Sequence, residues 1–516
     1  MTRVLIFFFR IALLPLRWRF ELRLSKPWRS QKRVLKRIVR AASQTEFGRS
    51  RGLTARDRLE EFSFKVPVAG YDAFEPWIQK QMCVEGKVLT AEAVRLYEPT
   101  SGSSGKIKVI PYTRSLKRAF NMMFLLWMHD LLSFGPRLRT GRFYFSLSPR
   151  MGSQDRTVRG KPIGLADDSE YLIAPLRKLL ARYFVKSPPT DGSEPFQKRL
   201  AARLAAQTDL EVISVWSPSF LQSLLECILE NGYHHGLSWK QLWPNLKIIS
   251  CWGSASATMG ALELRKQFPH VFVQFKGLVA TEAPMTLPLL RANGFVPLVD
   301  EIFYEFIDAD GQTRLLHELK AGQEYAIVIS HPAGLYRYRI GDRVRVTHFY
   351  RATPCLEFIG REGGVSDLVG EKLGEEFVRN VARELGLASG FVTLIPRRGE
   401  AASHYVALLK PEALNDWPEI EDLARRLDEA LCQAYHYRYA RFTGQLAACR
   451  VVVTSKAASL YDQCFLQRGM KWGDIKPRAL ITNIDDADAL QALISKELSP
   501  TSFVGLARSQ AIAWLT

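Results

Sequence analysis

Two observations predict an α/β fold with more than one domain. The first is an alternation of buried-strand and helical patterns in the middle of the chain, which is typical of a sheet flanked by helices. The strand patterns are Glu211–Trp216, Leu246–Gly253 and Val271–Phe275, and a predicted helix from Ser217 to Glu230 follows the first of them. The second observation is the length, because 516 residues exceed what one hydrophobic core organises.

The composition is that of a globular protein whose positive charge is concentrated at one end. Apolar residues make up 47% of the chain and charged residues 24%. The net charge is +19, and residues 1–58 contribute sixteen lysines and arginines against three acidic residues, a net of +13. No nucleic-acid-binding motif accompanies these cations, so we expect no nucleic-acid partner.

Cysteine and histidine usage points to a cytoplasmic protein without a structural zinc site. The seven cysteines include no Cys-x-x-Cys pair, and their odd number suits reduced thiols. The nine histidines do not cluster with cysteines or carboxylates at the spacing of metal ligands. We expect the protein to be a monomer.

Residues 1–30 form a basic, aromatic segment of their own. Val4–Leu16 is nearly all apolar, but Arg10 interrupts it and Pro15 is expected to end it, so it falls short of the roughly 20 residues that cross a bilayer. The internal arginine also argues against a signal peptide. Two interpretations remain: a helix docked on the protein's own surface, or an interfacial anchor on the inner face of the membrane. The anchor is favoured because aromatic residues are set among cations: Trp18, Phe20, Trp28, Arg17, Arg19, Arg23, Lys26 and Arg29.

An amphipathic helix is predicted to begin at Gln31 and to end at Thr45–Gly48. Its apolar face consists of Val34, Leu35, Ile38, Val39 and Ala42. Lys65–Val68 and Asp72–Ile78 are expected to be extended or turn segments. Leu116–Leu132 is predicted to be a helix whose apolar residues either pack in the core or line an acyl pocket.

The stretch Thr100–Lys108 reads Thr-Ser-Gly-Ser-Ser-Gly-Lys-Ile-Lys. Glycines let a backbone approach a ligand closely, and successive N–H groups with hydroxyl side chains form a concave site for anionic oxygens. A Ser/Gly run can equally be a surface linker. This one lies between the strand-like Leu96–Glu98 and Val109–Ile110, so we expect a loop inside a domain. It is not a Walker A loop, because Ile107 stands where that motif requires Ser or Thr.

Further along the chain, two strand patterns lead into charged residues. Val271–Phe275 precedes Thr281-Glu282, a pair that by itself is most often a helix cap. Gly334–Asp342 alternates aromatic and basic residues and is expected to be a strand that ends in a Gly-Asp turn. Two later stretches are Glu357–Leu373, which ends in Gly-Glu-Lys-Leu, and Gly473–Arg478, whose lysine would by default be solvated.

These stretches, in this order, resemble the nucleotide-binding motifs of acyl-adenylate-forming enzymes. The resemblance implies that ATP phosphates bind in the first loop, and it assigns them to Thr100, Ser101, Gly102, Ser103, Ser104, Gly105 and Lys108. It implies that Thr281 faces the α-phosphate and that Glu282 holds Mg²⁺, for which a hard carboxylate oxygen is a suitable ligand. Asp342 would accept hydrogen bonds from both ribose hydroxyls, assisted by Arg361.

The resemblance also implies two catalytic lysines, Lys372 after the hinge and Lys476 in the C-terminal lid. Three details depart from the family's usual pattern. Ala283 and Gly363 stand where glycine and aspartate are usual, and one residue is missing between Lys476 and Pro477. The pair Gly363-Gly364 is still a plausible pivot between domains.

The Gly-Leu-Tyr-Arg-Tyr-Arg and Gly-Glu-Lys-Leu signatures, with Thr45–Gly48 and Val66–Val68, narrow the resemblance to the plant auxin-responsive acyl-acid amido synthetases and their bacterial relatives. The implied fold is a large α/β domain with a β-barrel portion at 31–362 and a smaller, mobile α+β domain at 363–516. The implied reaction uses ATP and Mg²⁺ to convert a carboxylic acid into an acyl adenylate, which an amine, typically of an amino acid, then attacks. Two alternatives stay open: a ligase that forms a thioester with coenzyme A or a carrier, and a membrane-associated relative without catalysis.

Overall fold

The chain divides into two compact units, one that ends at Glu362 and one that begins at Gly363. The computed structural model describes residues 2–100, 108–145, 156–164, 178, 181, 183–186, 188, 196–216, 218–254, 257–362, 364–366, 368, 371, 373–387, 390–398, 403–414, 420–442 and 446–497. Each unit has a hydrophobic core of its own, as expected for a chain of this length.

The first unit contains most of the secondary structure. Its helices are α1 (Thr2–Leu24), α2 (Pro27–Ala42), α3 (Glu46–Ser50), α4 (Leu59–Lys65), α5 (Glu75–Cys83), α6 (Arg114–Phe134), α7 (Phe196–Ala205), α8 (Pro218–Glu230), α9 (Trp239–Leu242) and α10 (Thr258–Gln267). Its strands are β1 (Leu96–Thr100), β2 (Lys108–Tyr112), β3 (Arg142–Phe145), β4 (Leu210–Ser214), β5 (Ile248–Cys251), β6 (Phe272–Phe275), β7 (Val279–Ala280), β8 (Ala283–Pro284), β9 (Thr286–Leu289), β10 (Gly294–Pro297), β11 (Phe303–Ile307), β12 (Thr313–Leu315), β13 (Glu324–His331), β14 (Leu335–Tyr350) and β15 (Thr353–Arg361).

A parallel sheet of four strands, in the order β3-β4-β5-β6, forms the α/β part of this unit. Ile213 is paired with Ile249, and Ile249 with Val273. The three predicted strands and the helix from Pro218 to Glu230 are therefore confirmed. Because the strands are parallel, their carboxyl ends lie at one edge, which is where ligands bind in sheets of this kind.

A second sheet is antiparallel, with the order β12-β11-β13-β14-β15. The prediction of a turn at Gly341-Asp342 is wrong. The longest strand of this sheet, β14, is sixteen residues long and continues through this pair to Tyr350. Gly341 has φ +86°, and the register between β14 and β15 shifts between Arg343 and Val344. The irregularity is absorbed as a bulge inside the strand instead of ending it.

Helix α1 has two apolar faces. Phe20 and Leu24 on the inner face are buried, and Leu16 packs against the same core. The helix continues through Pro15, which was expected to end it. The outer face carries apolar side chains that are about half exposed or more: Val4, Phe7, Phe8, Ile11, Trp18 and Leu22.

Polar contacts fix the inner face of α1 and the whole of α2 to the antiparallel sheet. Glu21 accepts a hydrogen bond from Arg351 (2.5 Å), and Arg23 pairs with Asp300. On α2, the Gln31 side-chain amide donates to the carbonyls of Val299 and Ile302, at 2.8 Å each. The five residues of the apolar face predicted for α2 are all buried. The docked-helix interpretation thus holds for the inner-face residues Phe20, Glu21 and Leu24.

Helix α5 was not predicted. Asp72–Ile78 was expected to be extended or turned, but only Tyr71–Ala73 forms a short 3₁₀ turn and the chain is helical from Glu75. Pro76 occupies the first turn of the helix, where a missing N–H costs no hydrogen bond.

The second unit is a smaller α+β structure. It contains β16 (Val365–Ser366), β17 (Leu373–Gly374), α11 (Glu375–Glu384), β18 (Val392–Arg397), β19 (His404–Leu409), α12 (Ile420–Leu431), α13 (Tyr435–Phe442), β20 (Arg450–Val453), α14 (Ala457–Gln467) and α15 (Ile484–Glu497). Strand β19 pairs antiparallel with β18 and parallel with β20. Buried side chains on both faces of this sheet pack against the helices.

Within the described residues, every helix falls short of the length or the apolar character required to cross a membrane.

Candidate functional site

The Ser/Gly loop connects two paired strands. Strands β1 and β2 are antiparallel, with Thr100 opposite Lys108. Five of the predicted phosphate-binding residues, Ser101, Gly102, Ser103, Ser104 and Gly105, lie outside the described residues, as does the side chain of Thr100. Lys108 is described, and its Nζ lies 5.6 Å from the centre of the Tyr71 ring. The two ends of the loop therefore lie on paired strands of the first unit.

Thr281 and Glu282 form the turn between β7 and β8. A helix cap is ruled out here, because the chain enters a strand at Ala283. The Tyr112 hydroxyl donates to the Thr281 carbonyl (2.7 Å), and the Tyr338 hydroxyl lies 3.4 Å from Glu282 Oε1. Glu282 is only 5% exposed. The turn is thus held from β2 on one side and from β14 on the other.

Ala283, which departs from the family's usual glycine, is accommodated without strain. It is fully buried and pairs with Ala280 in the β7–β8 hairpin. The glycine whose backbone packs closely in this region is Gly277, where an added Cβ would lie 2.4 Å from the Thr286 carbonyl oxygen.

Two neutral rings border the Glu282 carboxylate. Tyr71 accepts a hydrogen bond from the Val109 N–H (2.8 Å), and burial, together with the charges of Glu75 and Glu282, raises the pKa of its phenol. Burial lowers the pKa of His331, beside the Glu282 backbone, to about 4. Both groups are therefore neutral at pH 7.

Asp342 and Arg361 face each other across the antiparallel sheet. They are direct register partners on β14 and β15, and Asp342 is 5% exposed. The side chain of Arg361 lies outside the described residues. Tyr338, which contacts Glu282, lies four residues before Asp342 on the same strand. The backbone therefore brings the predicted metal-binding and ribose-binding carboxylates to one region of the first unit.

Most of the Gly-Leu-Tyr-Arg-Tyr-Arg signature makes contacts within the protein's own scaffold. Buried Arg337 donates to both carboxylate oxygens of Glu305 and to the carbonyls of Ser63 and Val66, at 2.9 to 3.1 Å. Gly334 has φ +105°, and a Cβ there would lie 2.9 Å from Leu89. The signature ties β14 to β11 and to the segment after α4.

A lysine at the carboxyl edge of the parallel sheet was missed by sequence reasoning. Lys276, just after β6, donates to the Ser214 hydroxyl at the end of β4 (2.7 Å). Its Nζ also lies 5.1 to 5.7 Å from the ring centres of Trp127, Phe145 and Trp216. No local pattern indicates this cluster, because its members come from α6 and three different strand ends.

In the second unit, Lys372 lies outside the described residues, but its neighbour Glu371 is described. Glu371 is fully buried and accepts hydrogen bonds from the Leu368 N–H (2.7 Å) and from the Tyr405 hydroxyl. The glutamate of the Gly-Glu-Lys-Leu stretch therefore links Leu368 to Tyr405 on strand β19.

Lys476 lies in the segment after the short 3₁₀ turn Trp472–Asp474. Its carbonyl accepts a hydrogen bond from the Tyr461 hydroxyl (3.1 Å), and the same hydroxyl accepts from the Arg478 N–H (3.2 Å). Burial raises the pKa of Asp474, while the charges of Lys471 and Lys476 act against that rise. This backbone is fixed despite the residue missing before Pro477.

A metal ion at Glu282 would have to take most of its ligands from outside the protein. Among the described residues, no group of three or more His, Cys, Asp or Glu side chains is arranged to hold an ion. A single buried carboxylate suits Mg²⁺, which keeps several waters and binds one or two carboxylates together with substrate phosphates.

The chain is similar to known protein families and to solved structures. The models described as GH3 family N-terminal, central and C-terminal domains match residues 17–233, 295–361 and 375–484. The chain is 22% identical to the indole-3-acetic acid-amido synthetase GH3.10 of Arabidopsis thaliana, over 84% of this chain and 89% of that protein. It is 21% identical to the 4-substituted benzoates-glutamate ligase GH3.12 of the same plant, over 85% and 86%.

Two solved structures share the fold. The acyl acid amido synthetase AtGH3.15, in complex with 2,4-DB, has a TM-score of 0.77 at 18% identity and covers 94% of this chain and 96% of its own. A 2-hydroxyisobutyryl-CoA ligase in its postadenylation state has a TM-score of 0.57 at 16% identity, covering 91% of each chain. These likenesses confirm the predicted fold class. Since the three domain models match in order along most of the sequence, the chain belongs to the GH3 family.

Proposed function

We propose that this protein is an ATP-dependent acyl acid amido synthetase. In the first half-reaction, an oxygen of the acid's carboxylate attacks the α-phosphorus of ATP and pyrophosphate leaves. In the second, the nitrogen of an amine, typically an amino acid, attacks the acyl carbon and AMP leaves, while the amine gives up a proton. The observation that carries the proposal is the pair of buried carboxylates: Glu282, in a turn bonded to strand β2 through Tyr112, and Asp342, paired with Arg361.

The residue types fit the charge that develops in the first half-reaction. Negative charge builds on phosphate oxygens, so fixed N–H donors, hydroxyls and lysines stabilise the transition state. We assign the phosphates to Thr100–Gly105 and Lys108, with Thr281 at the α-phosphate. Asp342 would accept from the ribose hydroxyls beside Arg361. Glu282 would hold Mg²⁺, which neutralises phosphate charge when bound.

We further propose that the chain of the acid lies along α6. The Tyr112 ring, whose hydroxyl holds Thr281, stacks on Phe120 of this helix (5.9 Å). Seven residues on, or about 10 Å at 1.5 Å per residue, Trp127 lies beside Lys276. An acid with a hydrogen-bond acceptor about that far from its carboxylate would meet Lys276. A panel of acids of graded length, assayed for KM, tests this.

Pyrophosphate exchange into ATP tests the adenylation step directly. Glu282→Gln and Asp342→Asn should each lower acid-dependent, Mg²⁺-dependent exchange by about 10² to 10³-fold, as expected for a lost electrostatic contact at the reacting charge. Asp310→Asn, in an exposed turn, is the matched control and should exchange normally. Wild-type exchange in both site variants would overturn the proposal.

The acceptor distinguishes the amide from the thioester. A CoA ligase shares this fold, so the thioester alternative has to be tested as well. AMP release stimulated by amino acids supports the amido synthetase. Stimulation by coenzyme A alone would assign the protein to the thioester ligases, and nucleotide binding without any exchange would make it a non-catalytic relative.

We also propose distinct roles for Lys372 and Lys476. A lysine that stabilises departing pyrophosphate is needed only in the first half-reaction, whereas one that holds the nucleotide acts in both. Lys476→Ala should therefore impair adenylate formation and spare aminolysis of a supplied acyl adenylate, and Lys372→Ala should weaken both. Adenylate formation at the normal rate in Lys476→Ala would exclude Lys476 and make Lys471 the next candidate.

Finally, we propose that the protein is cytoplasmic and associates with the inner face of the membrane through the outer face of α1. The exposed apolar side chains from Val4 to Leu22 fall within one stripe of the helix, about 27 Å long at 1.5 Å per residue. A helix of this kind lies in the interface with its apolar face inserted. Co-sedimentation with anionic vesicles tests the association.

A further inference from the structure

A groove of about 540 Å³ lies where α1 turns into α2. It is lined by Pro15, Trp18, Arg19, Leu22, Arg23, Lys26, Arg29 and Arg33. A smaller cleft of about 80 Å³ shares Arg19, Arg23 and Arg33 with it and adds Ser30 and Asp300 to the wall. The groove and the cleft therefore form one continuous basic depression at the surface of the first unit.

The described residues do not balance the charge of this depression. Asp300 pairs with Arg23, and Glu301 pairs with Arg37 and Arg118. Among the described residues, no carboxylate lies within ion-pair distance of the remaining four cations of the groove: Arg19, Lys26, Arg29 and Arg33. Clustered like charges repel one another, so an anion that binds among them gains the energy of several charge-assisted hydrogen bonds.

A buried hydroxyl points to the same ligand. Ser30 is 1% exposed, lines the cleft, and its Oγ has no hydrogen-bond partner within the described part of the chain. Buried polar atoms are normally satisfied, so an orphan hydroxyl in this cleft indicates a missing hydrogen-bond partner. A phosphate oxygen would accept from Ser30 and from the guanidinium groups of Arg19 and Arg33, whose planar donors match phosphate geometry.

The rim of the groove selects among phosphate-bearing partners. Trp18 and Leu22 are 63% and 73% exposed and belong to the apolar stripe of α1. A nucleic acid would use the cations but leave this apolar rim in water. A second copy of the chain would bring two like-charged surfaces together. A bilayer satisfies both features, because lipid tails cover the rim while headgroup phosphates lie at the depth of a tryptophan side chain.

We propose that this groove binds the phosphate headgroup of an anionic phospholipid. The inference rests on the membrane association proposed above, which it deepens by assigning a site. General attraction to an anionic surface depends on how many cations are near it and contributes about 1 kcal/mol each, or roughly fivefold in binding. Binding at a specific site depends instead on which cations are removed.

The test compares two double variants that lose the same charge. Arg19→Gln with Arg33→Gln alters the groove, and Lys36→Gln with Arg40→Gln alters exposed positions of α2 outside it. Binding to vesicles of phosphatidylcholine with phosphatidylglycerol is measured by co-sedimentation. We expect the groove variant to bind at least tenfold more weakly than the control variant. Thermal stability and pyrophosphate exchange should be unchanged in both.

Each other outcome overturns a defined part of the proposal. Equal loss in the two variants removes the groove site and leaves a general electrostatic association. No binding of the wild type removes both, without bearing on adenylation. Displacement from vesicles by inorganic phosphate at matched ionic strength would assign the groove to a soluble phosphate. Binding of single-stranded RNA that depends on Arg19 and Arg33, in the absence of vesicle binding, would assign it to nucleic acid.

Discussion

Arg337 is a cation that the protein holds away from water, in a left-handed backbone conformation with φ +50°. Its side chain is 8% exposed and that of its partner Glu305 is 2% exposed. The planar guanidinium spreads its bonds over one carboxylate and two carbonyls, which a lysine ammonium cannot reproduce. The residue therefore acts on stability, although it stands in the middle of a motif that resembles a nucleotide-binding signature.

We predict that Arg337→Ala destabilises the first unit by about 3–5 kcal/mol, because it leaves the Glu305 charge buried and unpaired. Arg339→Ala, two residues along the same strand, is the matched control. Its side chain is 47% exposed and pairs with Glu362, so its loss should cost about 0–1 kcal/mol. Urea unfolding measures both. Equal destabilisation would mean that burial of the Arg337 pair contributes nothing.

At the scale of the element, α1 shows that the two interpretations of the N-terminal segment were not exclusive. One face is docked in the core and the other is exposed. An apolar pattern on both sides of a helix does not reveal which side the protein itself covers, so the sequence left the choice open. The structure also shows that the segment cannot be removed as a whole without exposing core residues.

Substitutions on the two faces should separate membrane binding from stability. Replacing exposed Phe7, Phe8 and Ile11 with serine should reduce co-sedimentation with anionic vesicles at least tenfold and change the free energy of unfolding by less than about 1 kcal/mol. Leu24→Ala on the inner face should cost about 2–5 kcal/mol, as for other buried leucines, with vesicle binding of the folded protein retained. If the serine variant unfolds while its vesicle binding persists, the assignment of faces is reversed.

Most elements could be predicted because they carry a clear period. Helix α6 and the strands of the parallel sheet have continuous apolar patterns that are visible in the local sequence. The failures have local causes as well: Asp72–Ile78 contains Pro76, which stands in the first turn of helix α5, and Gly341-Asp342 lies at a bulge inside β14 and not at a strand end. The hydrogen-bond partners of Thr281 and Glu282 could not be predicted from local sequence. Tyr112 and Tyr338 are distant along the chain and contact them only because of the tertiary fold.

For the whole molecule, two units with separate cores predict two unfolding transitions with opposite responses to acid. In the first unit, burial and the nearby arginines lower the pKa of His129 to about 4, and burial does the same for His331. Unfolding lets both histidines return to about 6.5 and take up protons, so stability falls as the pH drops from about 6.5 to 4. Asp130, whose pKa burial raises to about 6, offsets one of these protons.

For these three groups the net of one proton corresponds to about 1.4 kcal/mol per pH unit. His270, whose pKa burial also lowers, acts in the same direction. Calorimetry between pH 7.5 and 5 should therefore show the transition of the first unit moving to lower temperature. In the second unit, burial raises the pKa of Asp474, so mild acid favours its folded form and its transition should not fall. Two transitions that fall together would contradict this account.

The structural role of Gly334 to Tyr338 bears on how relatives of this protein are recognised. A descendant that lost Glu282 and Asp342, to which we assign Mg²⁺ and ribose, would by this proposal lose activity. It would still need the left-handed glycine, the Tyr336 hydroxyl on the Leu89 carbonyl and the buried arginine in order to fold. The motif from Gly334 to Tyr338 therefore indicates shared ancestry and a shared fold, but it does not indicate activity. Whether a relative is a working enzyme should be judged from the two less conspicuous carboxylates.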